Sequence, residues 1–508
     1  MNTRYDMPDN YYFGGGGDTF ITPLALAGLL IAIFLILWLP RRHVVAALLG
    51  AGILLPSGIE VVLGGLHFPA LRLLLSAGAL RYLLRRDLKL PPLTVFDKLF
   101  LAWACSNAVT FCILWGNFSA VTNRFGFLWS TLGSYLLLRA LIRDKSDVIF
   151  AIKSLAAVVI VVAPAMAMEH VTRHNLFSIL GALELSDVRY NSVRARGPFG
   201  HAIIAGTIGA MLMPLFVGLW WQGKRDRLLA GLGILASLTI AIACASSTPI
   251  MTIGAGVLGL LLWPMRRNLR VFRWTAVIAI VLLHIVMKAP VWFLVARVGG
   301  SLGGSGYHRA MLIDNFIHHF GEWFLVGTQN NAAWGYDMWD VDNAYVAAGI
   351  GGGFLTFSLF LAVMVHAFKR VGRSRKLVQK SRTDERLIWA LGVSLFANSV
   401  GFFGIIYFDQ SILAFYCVLA AIAATAAFAS EPVRAPVETV PDLVNVEPSL
   451  VEAPEAEEAS VIPQYSVAMG MIEGPDARLL YSSASSGSAV DGSAVGGSIG
   501  TPPDRWKS

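Results

Sequence analysis

Long apolar stretches recur along most of this chain, each close to the roughly 20 residues that a membrane-spanning helix needs. The stretches begin near the following residues: Phe20, Val44, Leu66, Asp97, Phe125, Asp147, Gly200, Leu228, Pro249, Trp274, Asn343, Leu387 and Ser411. Of the 508 residues, 56% are hydrophobic and 14% are charged, too few polar residues to cover a soluble fold. The sequence therefore predicts an all-α, polytopic integral membrane protein with about 12 to 13 transmembrane helices.

Lysine and arginine gather on every second connection between these stretches. The basic clusters lie at residues 41–42, 81–89, 139–145, 224–227, 266–273 and 369–386. Basic connections of membrane proteins remain in the cytoplasm, so the other connections are expected to face outward. This places the N-terminus outside and the C-terminus inside. It also accounts for the net charge of +8 without a nucleic-acid partner.

The chain divides into three parts by composition. Residues 1–19 are expected to form an extracytoplasmic N-terminal segment, and residues 20–430 the membrane domain. Residues 431–508 are rich in Pro, Glu, Gly, Ser and Ala, which predicts a disordered cytoplasmic tail. Two outward connections, 169–199 and 291–342, are too long to be simple turns, and we expect function to be concentrated there.

The shorter outward loop ends in two arginines and a histidine at the start of an apolar stretch. The residues are Arg194-Ala-Arg196-Gly-Pro-Phe-Gly-His201. A helix that begins here presents free N–H groups to the outer surface, and such groups attract anions. The segment therefore predicts a site for an anionic headgroup.

The longer outward loop contains an amphipathic stretch with apolar residues at three- and four-residue spacing. It runs from Arg309 to Phe320, and Gly321 is expected to end it. Such a helix is expected to lie along the bilayer surface. Trp323 and Trp334 follow, as an interfacial aromatic belt or as a surface for stacking sugars.

Histidines in this loop lack the spacing of metal ligands. His308, His318 and His319 are therefore expected to be solvated interfacial side chains. His308 is also a candidate substrate-binding residue.

Three stretches have the residues and spacing of motifs from one known family. They are Arg196-Gly-Pro-Phe-Gly-His-Ala202, the stretch from Arg309 to Trp323-Phe-Leu-Val-Gly327, and the segment 342–353 that begins Asp-Asn. Together they resemble the O-antigen ligase and Wzy-type O-antigen polymerase superfamily of bacterial inner-membrane, GT-C-like glycosyltransferases. Ala202 and Ile203 replace the Pro-Asn of the family's first motif, and Asp342 replaces the histidine of its third.

The resemblance implies a reaction at the periplasmic face. A sugar hydroxyl is joined to the anomeric carbon of a glycan carried on undecaprenyl diphosphate, and the lipid diphosphate leaves. It implies no nucleotide, metal or other cofactor. The implied partners are a lipid-linked oligosaccharide donor, a glycan acceptor, membrane lipid and other polysaccharide-assembly proteins, with no nucleic acid. Because the ligase-type histidine is replaced, we favour a polymerase of O-antigen or exopolysaccharide over a ligase.

The family arginines match Arg196 and Arg309, whose guanidinium groups suit the negative charge that develops on a leaving diphosphate. Asp342 is the candidate base for the acceptor hydroxyl. Alternatively, Asp342 caps the helix that Asn343 begins. Asn343 is then expected to orient Asp342 or a substrate hydroxyl.

Two further residues extend the candidate site. Arg194 is an additional diphosphate-binding candidate, and His201 is a reserve base or a substrate-binding residue.

Arg72 lies within an apolar stretch, where an arginine is costly and is usually paired or functional. It either pairs with Glu60 or contacts the diphosphate directly. A transporter or flippase of a lipid-linked or other anionic substrate is the alternative function, since it shares the need for an arginine-lined cavity. A non-catalytic assembly scaffold is a third possibility.

Overall fold

The computed structural model describes residues 19–64, 66–85, 87–189, 191–301 and 306–429, without the side chains at 63, 298–301 and 429. Residues 1–18 and 430–508 lie outside the described ranges. The predicted N-terminal segment, apart from residue 19, and the predicted disordered tail are among them.

The described residues form a predominantly helical fold of seventeen α-helices. Their bounds are α1 Pro23–Trp38, α2 Arg41–Leu54, α3 Ala70–Arg85, α4 Val95–Trp115, α5 Phe118–Leu141, α6 Lys145–Thr172, α7 Ala202–Trp220, α8 Arg227–Ala243, α9 Ser247–Leu261, α10 Leu269–Val286, α11 Leu294–Ser301, α12 Gly306–His318, α13 Phe320–Trp323, α14 Ala344–Ile350, α15 Gly353–Leu377, α16 Arg382–Gly401 and α17 Gln410–Ala424. Short 3-10 helices join several of them.

Two short antiparallel hairpins interrupt the helical pattern, and the sequence did not predict them. In the first, β1 Glu60–Leu63 pairs with β2 Leu66–Pro69. In the second, β3 Val188–Arg189 pairs with β4 Ser192–Val193. Because the first hairpin uses residues that were assigned to an apolar stretch, α3 begins at Ala70 rather than near Leu66.

Seven helices of the described residues are long and apolar enough to cross a membrane. They are α4, α6, α7, α8, α10, α15 and α17, with α8 and α17 counted together with their adjoining 3-10 turns. A helix begins near every predicted start, but α1, α2, α3 and α9 have only 16, 14, 16 and 15 residues. The helical class is therefore confirmed, with several helices whose length and composition suit a membrane span.

The main core surrounds two helices whose residues are almost all buried, α7 and α17. In contrast, α10 has no buried residue. An exposed apolar surface of this extent is typical of a helix that faces lipid.

Polar contacts link the connections at each end of the bundle into two separate groups. At one end, the Ser57 backbone N–H and the Gln410 side-chain amide both donate to the Pro198 carbonyl oxygen over 2.9 Å. At the other end, Arg41 pairs with Asp147 over 2.8 Å. Arg41 and Ser57 flank the two ends of α2. Connections that the sequence assigned to one side of the membrane therefore do meet.

Candidate functional site

Arg309 is a buried arginine that joins three separate segments. It lies on α12 and is 2% exposed. Its Nε donates to Asp342 Oδ2 over 2.9 Å. Its two terminal nitrogens make longer contacts, from Nη1 to Ser247 Oγ over 3.5 Å and from Nη2 to the Gly404 carbonyl oxygen over 3.3 Å. The guanidinium thus combines one short ionic bond with two weak neutral ones.

The second carboxylate oxygen of Asp342 is buried, and within the described residues it accepts no hydrogen bond. His308 Nε2 lies 4.0 Å from this oxygen and 3.0 Å from the carbonyl oxygen of Asp340. Loss of solvent raises the pKa of Asp342, while the charges of Arg309 and His308 oppose the rise. The site thus holds a carboxylate that takes up a proton more readily than an exposed one, with an oxygen available to do so.

Asn343, rather than Asp342, caps the helix that follows. Its side-chain oxygen accepts hydrogen bonds from the backbone N–H groups of Tyr345 (2.9 Å) and Val346 (3.2 Å). Its amide nitrogen donates to the Phe403 carbonyl oxygen over 3.4 Å. The capping alternative for Asp342 is therefore wrong. Asn343 holds the start of α14, and thereby the backbone next to Asp342.

Glu169 organises the segment that carries Arg196. This carboxylate is fully buried near the end of α6 and accepts from the Arg196 backbone N–H over 2.9 Å and from the Gly197 N–H over 2.8 Å. Ser186 also donates to it. Glu169 was not among the predicted site residues, although an acid at the end of a long apolar helix indicates a structural or functional role.

The Arg196 guanidinium points into its own loop. It is 8% exposed, and its Nη2 donates to the Leu185 carbonyl oxygen over 2.6 Å. Within the described residues, its Nε is buried without a hydrogen-bond partner. No contact between Arg196 and either Arg309 or Asp342 is found among the residues that the structure describes.

Arg194 lies on the same loop as Arg196, and its charge interacts with that of Arg309. The neighbouring Ala195 donates its N–H to the Ala243 carbonyl oxygen over 3.0 Å, at the end of α8 and just before Ser247. Burial lowers the pKa of Arg194, and the charges of Arg189 and Arg309 lower it further. The positive charges of Arg194 and Arg309 repel each other, and a nearby anion would reduce that repulsion.

His201 occupies the N-cap position of α7, and its side chain is exposed and makes no cap hydrogen bond. Partial loss of solvent raises the pKa of Asp340, and His308 and His201 are both close enough to oppose that rise. His201 therefore lies beside the segment that carries Asp342.

Arg72 belongs to a separate polar group around the first hairpin. Its Nη1 donates to the His67 carbonyl oxygen over 2.9 Å, and its Nε to Ser130 Oγ over 3.2 Å. Glu60 makes its direct contact with His67, whose Nδ1 lies 3.2 Å from the carboxylate, and it acts on Arg72 through its charge rather than through an ion pair. Burial raises the pKa of Asp409, and Arg72 opposes the rise. Arg72 thus interacts through its charge with Asp409 and Glu60, and none of its hydrogen bonds among the described residues reaches the Arg309 group.

The aromatic residues after α12 form a small core of their own. Trp323 is 2% exposed and stacks on Phe316 with ring centres 4.0 Å apart. Trp334 is 7% exposed and donates to Glu322 over 2.7 Å. Neither is an interfacial or sugar-stacking residue, because their rings are covered by the chain itself. Gly321 does not end the amphipathic helix either, since it lies inside α13 and the break falls at His319.

Within the described residues, no group of three or more His, Cys, Asp or Glu side chains is arranged to hold a metal ion.

No model of a known protein family matches this chain, and comparison with curated proteins finds no similar sequence.

Proposed function

We propose that this chain is a multi-pass glycosyltransferase that polymerises a glycan carried on undecaprenyl diphosphate, at the periplasmic face of the bacterial inner membrane. The observation that carries the proposal is the contact between Arg309 and Asp342. It places a buried permanent cation beside a carboxylate with an unbonded oxygen. These are the two groups that glycan transfer from a diphosphate requires.

In the proposed reaction, the acceptor hydroxyl attacks the anomeric carbon of the donor glycan. A carbon–oxygen bond forms there as the bond to the lipid diphosphate breaks. Asp342 Oδ1 accepts the proton of the hydroxyl, and its loss of solvent makes it a stronger base than an exposed aspartate. His308 lies near enough to stabilise the charge of the carboxylate.

The leaving diphosphate takes up the negative charge. Arg309 is suited to receive it, because its Nη contacts at 3.3 and 3.5 Å are long bonds to neutral oxygens that a phosphate displaces readily. Arg194 supplies the second cation. We assign Arg196 to positioning of the loop, given its bonds to Leu185 and Glu169.

We place the Arg309 end of the bundle on the periplasmic side, because the basic connections lie at the opposite end. The N-terminus is then periplasmic and the C-terminus cytoplasmic. In this proposal α1, α2, α3, α5, α9 and α16 also cross the bilayer, in addition to the seven long apolar helices. The helix α15, one of those seven, forms an interrupted span together with α14, which makes about 12 to 13 spans. The connections 169–199 and 291–342 then both face the periplasm.

Deletion of the gene, followed by analysis of cell-surface glycan and lipid-linked intermediates, tests the proposal. Single repeat units accumulated on lipid in the periplasmic leaflet are the expected result. Intact polymer on lipid would indicate a ligase, and units confined to the cytoplasmic leaflet a flippase. Unchanged glycan and intermediates would overturn glycan transfer altogether.

A further inference from the structure

A cavity of about 200 Å³ lies at the end of the bundle opposite Arg309. It forms where α7 and α9 end and α16 begins, whereas Gly404, the partner of Arg309, follows the other end of α16. Its lining includes Val217, Leu260, Trp221, Trp263, Trp389 and Arg386. Its walls are therefore apolar and mostly aromatic, with one cation.

Arg386 is held over tryptophan rings rather than against an acid. Its guanidinium carbon is 3.9 Å from the ring centre of Trp221 and 5.9 Å from that of Trp263. Within the described part of the chain, no carboxylate pairs with it. In contrast, the nearby Arg266 and Arg375 share Glu385 at 3.1 and 3.4 Å. Arg386 therefore retains hydrogen-bond donors for an anion that enters the cavity.

The location and the lining together define the ligand. Tryptophan and arginine at the ends of apolar helices are typical of the bilayer interface. The cavity is larger than the roughly 150 Å³ that suffices for benzene in an apolar protein interior, so it admits part of a hydrocarbon chain. A free phosphate gains no favourable contact from apolar walls, whereas a phospholipid has both an apolar acyl chain and an anionic headgroup.

We propose that this cavity binds one acyl chain of an anionic phospholipid, with the headgroup phosphate on Arg386. The proposal does not depend on glycan transfer. It requires only that the helices cross a bilayer.

Native mass spectrometry of the full chain in detergent, with added phosphatidylglycerol or phosphatidylcholine, tests this site. The wild type is expected to retain phosphatidylglycerol preferentially. Arg386→Gln removes the cation and should weaken retention of phosphatidylglycerol about fivefold. Val217→Phe fills the cavity while keeping the charge, and should weaken retention of both lipids.

Arg382→Gln is the matched control, because Arg382 is exposed one helical turn earlier on α16 and does not line the cavity. It should retain phosphatidylglycerol like the wild type. Equal loss in Arg382→Gln and Arg386→Gln, or full retention by Val217→Phe, would overturn the site. Inorganic phosphate should not displace the lipid, and complete displacement would show that the site binds the phosphate group alone.

Discussion

Arg309 and Asp342 form a 2.9 Å ion pair between α12 and the residue that precedes the cap of α14. The side chains are 3% and 15% exposed. A buried pair of this kind is costly to desolvate and needs further partners to be stable. Ser247 and Gly404 supply those partners to Arg309, but Oδ1 of Asp342 is left without one among the described residues.

Asp342→Asn is expected to abolish most glycan elongation. The variant keeps the shape of the side chain but cannot accept the proton of the acceptor, and general-base catalysis contributes about 10²–10⁴-fold. Elongation by purified protein and retention of the lipid-linked donor are measured together. Asp337→Asn, in the same loop, is the control and should elongate normally. Normal elongation by Asp342→Asn would exclude this carboxylate as the base.

The pH dependence should follow the raised pKa of Asp342. Loss of solvent raises this pKa from the ordinary value of 3.8, so the carboxylate becomes protonated at a higher pH than an exposed aspartate. As pH decreases, the elongation rate should therefore begin to fall at a higher pH than that at which exposed carboxyl groups become protonated. The folded chain also binds this proton more tightly than the unfolded chain, so ionisation of Asp342 lowers stability as pH rises through the folded pKa.

The rate of elongation as a function of pH checks this expectation. In Asp342→Asn the acid-side fall should vanish and leave a low rate that no longer depends on this group. If the rate of Asp342→Asn still fell on the acid side at the same pH, another residue would be responsible for that fall.

Arg309→Lys should weaken transfer despite keeping a positive charge. An ammonium cannot bond Asp342 and present two further nitrogens to a diphosphate in a fixed plane, and loss of such a contact typically costs about 10²–10³-fold in rate. Lys288→Gln is the control, because it removes one exposed cation from the connection after α10. Equal activity in Arg309→Lys and the wild type would argue against bidentate binding of the diphosphate.

Glu169→Gln should destabilise the loop that carries Arg196. The amide nitrogen of glutamine replaces one acceptor oxygen, so the N–H of Arg196 or Gly197 is left buried without a partner at a cost of about 1–3 kcal/mol. Thermal unfolding and proteolysis of segment 169–199 measure the effect. Glu184→Gln is the exposed control and should be neutral. Unchanged protease resistance in Glu169→Gln would show that Glu169 does not stabilise this loop.

Gly353→Ala should separate α15 from the segment after α13. Gly353 has φ 71°, and an added Cβ would lie 2.4 Å from the Leu325 carbonyl oxygen. Strain and the clash together should lower stability by about 2 kcal/mol or more. At Gly321 an added Cβ meets no atom within 4 Å, so Gly321→Ala should be neutral or slightly stabilising. Thermal unfolding of both variants distinguishes the two effects.

The sequence by itself determined the helical class and the approximate starts of the long apolar helices, because apolar length is a local property of the chain. The resemblance of three stretches to the motifs of a known family also singled out Arg309 and Asp342. The sequence did not predict the β1–β2 hairpin, because the same apolar residues suit a strand or a helix.

Only the tertiary structure decided which charged groups meet. The guanidinium of Arg196 bonds the Leu185 carbonyl oxygen, and Glu169 binds the backbone of the same loop, whereas Arg309 pairs with Asp342. Asn343 rather than Asp342 caps α14, and Trp323 is covered by Phe316 rather than by lipid. These outcomes depend on contacts between residues far apart in the chain, and no local pattern of residue types encodes the direction in which a buried side chain points.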